Sequence, residues 1–333
     1  MPGRVTAMNS RAALALIAIS AVAIASSLLT GPAPLSAPEA IAALFGDGPA
    51  SVIVRDIRLP RALAAWLAGA ALGAAGAALQ GLLRNPLADP GVLGVSSIAA
   101  LGAVIAIYFN LAAAAFWMTP LAAISAAFGA TALLHALGAG RLSATRLILV
   151  GVGLSSLAGA AIALVMNLAP NPFILSDLVN WLFGAVTNRS FDDLALTVPF
   201  MALGLALTLA AAPGLTALSL GEETAASAGA DIVRTRTLAI GGAAMLTGAA
   251  VALAGAIGFV GVVAPHLARP LIGHDPGRAI LPAALIGGAM LTIADLVIRL
   301  LPFDQELKLG VAAALIGAPA FILIAARTDR IAS

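Results

Sequence analysis

Apolar runs close to 20 residues long recur from one end of this 333-residue chain to the other. WLAGAALGAAGAALQGLL, GVLGVSSIAALGAVIAIYF and GGAAMLTGAAVALAGAIG are three of them. A helix needs about 20 apolar residues to cross roughly 30 Å of hydrocarbon, and it satisfies its backbone hydrogen bonds internally. The runs are rich in Ala, Leu and Gly and do not alternate in polarity, which argues against barrel strands. Charged residues make up 10% of the chain, against about a quarter in a soluble domain, so the chain cannot cover itself in water. The sequence predicts an all-α, polytopic membrane bundle.

Glycine, proline and charge punctuate the chain into ten spans: 12–30, 61–83, 92–109, 113–137, 146–168, 191–211, 235–256, 258–271, 279–301 and 307–326. The first follows Arg4 and Arg11 and could mimic a signal peptide, but its length and the many spans after it make it the first membrane helix. The eighth, GFVGVVAPHLARPL, is short and carries Pro265. With the N-terminus inside, one side collects Arg4, Arg11, Arg84, Arg141, Arg146, Arg234, Arg236, Arg269, Arg278, Arg327 and Arg330. The other receives Arg55, Arg58, Arg61, Arg189, Arg299 and Lys308, diluted by acids that include Glu39, Asp47, Asp56, Asp177, Asp304 and Glu306. The positive-inside rule therefore expects both termini in the cytoplasm. No separate soluble domain is evident, so residues 1–333 are expected to form a single transmembrane domain.

Several function classes lose support at once. There is no cysteine, which removes disulfides and thiol chemistry. No basic patch reads as a nucleic-acid surface. The phosphate-binding loop GxxxxGK[ST] is absent, because the one lysine is Lys308 in LKLG. An ion-gradient-driven secondary transporter wants an ionisable group near the bilayer midplane. The best-placed acid, Asp295, sits four residues from Arg299 and near a span end, so the two can pair. A metal-dependent enzyme built on His266, His274 and Asp275 would need ligands to converge across a proline and a helix end.

One loop reads as a docking element. In LSLGEETAASAGADIVRTR, Glu222 and Glu223 follow Gly221 in a first helical turn, favourable at the positive end of the helix dipole. Gly229 is placed for a left-handed C-terminal cap, and Asp231 can cap the next helix. A short rigid helix within 218–231 is the expected product. The turn QGLLRNPLADPGVLGVSS breaks the apolar pattern as sharply: Pro86 disfavours helical geometry at Asn85, and Asp89-Pro90-Gly91 makes a turn.

Four segments in order, RLPRALAAWLAGAALGAAGAALQGLLRNPLADPGVLGVSS, LGEETAASAGAD, GFVGVVAPHLARPLIGHDP and ELKLGVAAALIGAPAF, resemble the permeases of ABC importers for iron chelates, haem and cobalamin, the FecCD family. The resemblance implies a type II importer architecture: a homodimer of ten-helix subunits with one path between them. Its partners would be two ATPase subunits and a periplasmic binding protein. ATP and Mg would be used in the ATPase, with no cofactor, resident metal or catalytic residue in this chain. It also implies roles for particular residues. Leu220, Gly221, Glu222, Glu223, Ala225, Ala226 and Gly229 would form the ATPase-coupling helix. Asn85 and Leu87, with Ala144 and Thr145 beside Ser143, would form the cytoplasmic gate. Arg58, Arg61 and Arg299 would dock the binding protein, although pairing with Asp56 or Asp295 would occupy them. Ser155, Ser156, Gly159 and Asn167 would line the path. The implied cargo is a ferric siderophore or related metal chelate, with haem and cobalamin as alternatives within the class.

Overall fold

The computed structural model describes residues 10–137, 143–302 and 306–328, with backbone alone at 144 and 323–328. Thirteen helices follow one another among these residues. They are α1 (Ser10–Leu29), α2 (Ala37–Phe45), α3 (Pro49–Leu83), α4 (Val95–Tyr108), α5 (Met118–Ala136), α6 (Ala144–Asn167) and α7 (Pro172–Leu182). After them come α8 (Phe191–Leu218), α9 (Glu222–Ser227), α10 (Ile232–Ala254), α11 (Val260–Ala268), α12 (Ile280–Leu300) and α13 (Leu309–Thr328). Seven of them are long and apolar enough to cross a membrane, and α4, α11 and α13 take the places of the other three expected spans. The fold is an all-helical, multi-pass membrane bundle. Of the arginines used to orient it, Arg4, Arg141 and Arg330 lie outside the described residues, as does Asp304.

Two spans are longer than the sequence pattern predicts. Helix α3 starts at Pro49 rather than near Arg61, because a π-type stretch, Val52–Arg58, carries the helix up to Pro60. The Leu59 N–H bonds to the Val54 carbonyl, five residues back, so the proline enters at a widened turn. Helix α8 runs on to Leu218 through Pro199 and Pro213. Membrane helices tolerate such prolines where neighbouring groups satisfy the freed carbonyls. The eighth span is short in the structure as well: α11 has nine residues and continues as a 3₁₀ turn, Arg269–Leu271.

Helices α3 and α10 form the centre and bury most of their residues, whereas α1 and α6 are peripheral and bury few of theirs. The centre is assembled by small residues, since lipid offers no hydrophobic drive for helices to associate and close backbone packing has to serve. Along α3, Gly69 lies against the Gly287 carbonyl, Gly73 against Ala283 and Gly76 against Gly261. A methyl group at any of the three would overlap backbone atoms of α11 or α12. Helix α6 instead rests on the short 3₁₀ turn Pro90–Leu93. Gly151 packs on the Val92 carbonyl, and the Ser155 hydroxyl donates to the Gly91 carbonyl at 3.2 Å.

Candidate transport site and its two ends

Between Arg61 and Leu83, α3 climbs 22 residues, or about 33 Å at 1.5 Å per residue. The functional residues expected from the sequence therefore fall at two separate ends, one carrying α9 and the other α7.

At the first end α9 is a six-residue helix fixed on both sides. Gly221 precedes it at φ +102° and Gly229 follows it at φ +85°. The Ala230 N–H reaches the Ala225 carbonyl at 3.0 Å and the Gly229 N–H reaches Ala226 at 2.9 Å, the paired bonds of a Schellman cap. Asp231 then caps α10 by accepting from the Arg234 N–H at 2.9 Å. Ala225 is fully buried against the bundle, while Leu220, Glu223 and Ala226 are exposed. Glu222 turns inward and pairs with Arg236 at 2.6 Å, whose side chain is 9% exposed. The two glutamates thus differ: Glu222 ties α9 to α10, and Glu223 faces out.

Beside α9 lies the turn between α3 and α4. Arg84 closes α3 in the left-handed region at φ +47°, and the Asn85 side-chain oxygen accepts from the Leu87 N–H at 2.9 Å. The Asp89 carboxylate caps the 3₁₀ turn through the Gly91 N–H at 2.8 Å. Burial pushes the Asp89 carboxyl above its usual range, and that hydrogen bond opposes the shift. Gln80 is the residue that sequence reasoning missed. It is buried, lies within 3.3 Å of the carbonyls of Ala88, Gly261 and Val262 through Nε2, and accepts from Arg269 at 2.7 Å through Oε1. A lone amide closing an otherwise apolar span was its signal. Ser143 caps α6 through the Arg146 N–H, and Thr145 is exposed beside it; the Ala144 side chain lies outside the described atoms.

At the opposite end the three arginines expected to meet a binding protein all bond within the chain, two of them to Asp295. Arg58 is 4% exposed and donates to the carbonyls of Leu28 at 2.9 Å and Ala33 at 2.7 Å. Arg61 binds Asp295 at 2.7 Å and also pairs with Glu306. Arg299, with its side chain 1% exposed, reaches Asp295 at 3.2 Å, the Ser27 and Thr30 carbonyls and the Ser27 hydroxyl. All three are committed inside the chain, because a guanidinium buried beside an apolar helix end requires several local acceptors. A polar cavity of about 440 Å³ opens over Arg61, Asp295 and Glu306, reaching Asn180 and Lys308. A neighbouring one of about 410 Å³ is lined by Trp181, Asp177, Arg189 and Asp193. Burial pushes the Arg189 guanidinium down from its ordinary value, and Asp193 partly offsets this.

Helix α6 separates its polar groups by direction. Ser155 is half-buried, and its bond to the Gly91 carbonyl anchors the helix. Ser156, Gly159 and Asn167 are exposed, and a side chain at Gly153 or Gly159 would meet open space. With Leu149, Leu157 and Leu164 also exposed, α6 presents a smooth, nearly uncharged face along its length.

The model of the FecCD transport family matches residues 17–327. The chain belongs to the FecCD transport family. It is 36% identical over 340 residues to the ferric enterobactin transport system permease protein FepD of Escherichia coli (strain K12), covering 99% of both chains. It is 40% identical over 279 residues to the cobalamin import system permease protein BtuC of Halobacterium salinarum, covering 83% of this chain and 73% of that one. A solved structure described as an inward-facing conformation of a metal-chelate type ABC transporter superposes with a TM-score of 0.86. It shares 30% identity and covers 96% of this chain and all of that one. Membership of this FecCD family of transport subunits accords with a chain that lacks a phosphate-binding loop. Its relatives thus include permeases named for cobalamin import and for ferric enterobactin transport.

Proposed function

We propose that this chain is the permease subunit of an ATP-driven importer that carries a ferric siderophore or related metal chelate into the cytoplasm. Two copies pair with α6 toward the shared path. Two ATPase chains dock on α9, and a periplasmic binding protein delivers cargo at the α7 end. In this reading both termini are cytoplasmic, the membrane is the bacterial inner one, and residues 1–333 work as one permease unit. Cobalamin, and then haem, are the alternative cargoes.

The observation that carries the proposal is α9. A six-residue helix is not stable alone, yet this one is capped at its C-terminal end and paired through Glu222, with Leu220, Glu223 and Ala226 facing out. A rigid body of that kind transmits a push from a partner that burns ATP, which this chain cannot do itself. The largely uncharged face of α6 suits cargo that must pass without sticking, and Asn85 and Leu87 stand at its α9 end as a gate. Arg58, Arg61 and Arg299 lie at the α7 end where the binding protein would dock, and their bonds within the chain would hold that surface in shape.

Reconstitution in vesicles with an ATPase and a binding protein of the same importer class tests the reading. Uptake of a ferric siderophore should need ATP and survive collapse of the proton and sodium gradients. Uptake that outlasts ATP depletion and fails with the gradient would overturn it in favour of a secondary transporter. A supply of cobalamin retained by the binding protein in place of the siderophore would change the cargo and leave the class intact.

A further inference from the structure

At the α9 end a cavity of about 260 Å³ opens between the last turn of α3 and the loop after α11. Arg84, Arg269, His274 and Asp275 supply its charged and titratable walls, with the amides of Gln80 and Asn85 beside them. Asp275 is already engaged by three partners. Its Oδ1 accepts from the Thr216 hydroxyl at 2.6 Å and the Gly277 N–H at 3.0 Å, and its Oδ2 faces Arg278 at 3.2 Å. Arg269 gives one N–H to Gln80, out of the five a guanidinium carries. None of the ion pairs among the described residues includes Arg84 or Arg269. Two guanidinium groups and an imidazole therefore share one recess, and the chain's own carboxylate there is spent elsewhere.

We infer that this recess is a binding site for a phosphate group, supplied by the headgroup of an anionic phospholipid or by free phosphate. Guanidinium forks match phosphate oxygens at two points. Basic pockets between membrane helices hold anionic headgroups in the same way. The volume lies below the 300–1,000 Å³ of sites for drug-sized ligands, which suits a small anion with water and excludes a metal chelate. The site is separate from the face of α6 and does not depend on the transport reading. A phosphate held there would bridge the end of α3, Ser219 at the α8–α9 junction and the loop after α11, and so stiffen the seat of α9.

The test uses the full chain. Arg84 (φ +47°) and His274 (φ +65°) both occupy the left-handed region, which Asn tolerates, so Arg84→Asn with His274→Asn removes one guanidinium and the imidazole and spares the backbone. Arg269 is left alone because it holds Gln80. In neutral detergent, inorganic phosphate at fixed ionic strength should raise the melting midpoint saturably, and the double variant should need at least tenfold more phosphate. In lipid nanodiscs, phosphatidylglycerol added to phosphatidylcholine should stabilise the wild type and not the variant. A response to both probes, or to phosphatidylglycerol alone, assigns the headgroup as an occupant; a response to phosphate alone assigns the free anion. Absence of stabilisation in both arms, or equal stabilisation of wild type and variant, overturns the site.

Discussion

Replacing Asp295 by Asn removes one negative charge from a buried cluster while keeping the side chain's volume and one carbonyl oxygen. In the wild type that carboxylate serves Arg61 at 2.7 Å and Arg299 at 3.2 Å, and it is 1% exposed. The variant leaves two guanidinium charges facing Glu306 alone. Breaking a buried pair by removing one partner costs about 3–5 kcal/mol. The lower end applies, about 3 kcal/mol, because Arg61 keeps Glu306 and Arg299 keeps the Ser27 and Thr30 carbonyls. Equilibrium unfolding in mixed micelles containing dodecyl sulfate measures the loss, and a cycle with Arg299→Gln isolates the pair. Neighbours in one network couple by roughly 0.5–3 kcal/mol, so the double variant should lose less than the two single losses combined. An Asp295→Asn protein within about 0.5 kcal/mol of wild type, the range of surface substitutions, would refute the reasoning. Strictly additive losses would do the same. Either result would return Arg61 and Arg299 to the pool of groups free to meet a partner protein.

Three further outcomes are expected. Gly76→Val should cost about 3 kcal/mol, the upper end for overpacking, since its side chain meets the Gly261 backbone; an unchanged unfolding midpoint counts against the packing account. Glu223→Lys should leave stability within about 0.5 kcal/mol of wild type and lower ATP-coupled uptake, whereas Glu222→Lys should also destabilise by exposing Arg236 to a like charge. Normal coupling in Glu223→Lys vesicles would remove α9 as the docking element. Cysteines introduced at Asn85 or Leu87 should cross-link between two copies when the path is shut and lose that reaction on a nucleotide change; a cross-link indifferent to nucleotide removes the gate and leaves only a turn.

The ten spans were legible because burial in lipid imposes length and apolarity on each one separately. The turns on either side of α9 were legible for a similar reason: Gly221, Gly229 and the α10 cap Asp231 act within a few residues of themselves. What the sequence left open was partnership at a distance. Asp295 is one of two acids it offers the arginines, and Arg61 meets it 234 positions away, whereas Arg58 meets carbonyls exposed only because α1 ends beside it. Nothing local distinguishes such arginines from surface ones. Gln80 was hidden likewise, since its acceptors on α11 lie more than 180 positions on. The start of α3 was misplaced because Pro60 reads as a boundary unless a widened turn precedes it.

The contacts of Gly69, Gly73 and Gly76 with the backbones of α11 and α12 also bear on how this protein could be adapted to other cargo. Those positions have no room for chemical variation, so a new preference cannot be written into that seam. Gly153 and Gly159 of α6 look onto open space, and added side chains there meet nothing in their own chain. Laboratory selection for a different chelate should therefore accumulate its substitutions along α6 and leave the central glycines untouched.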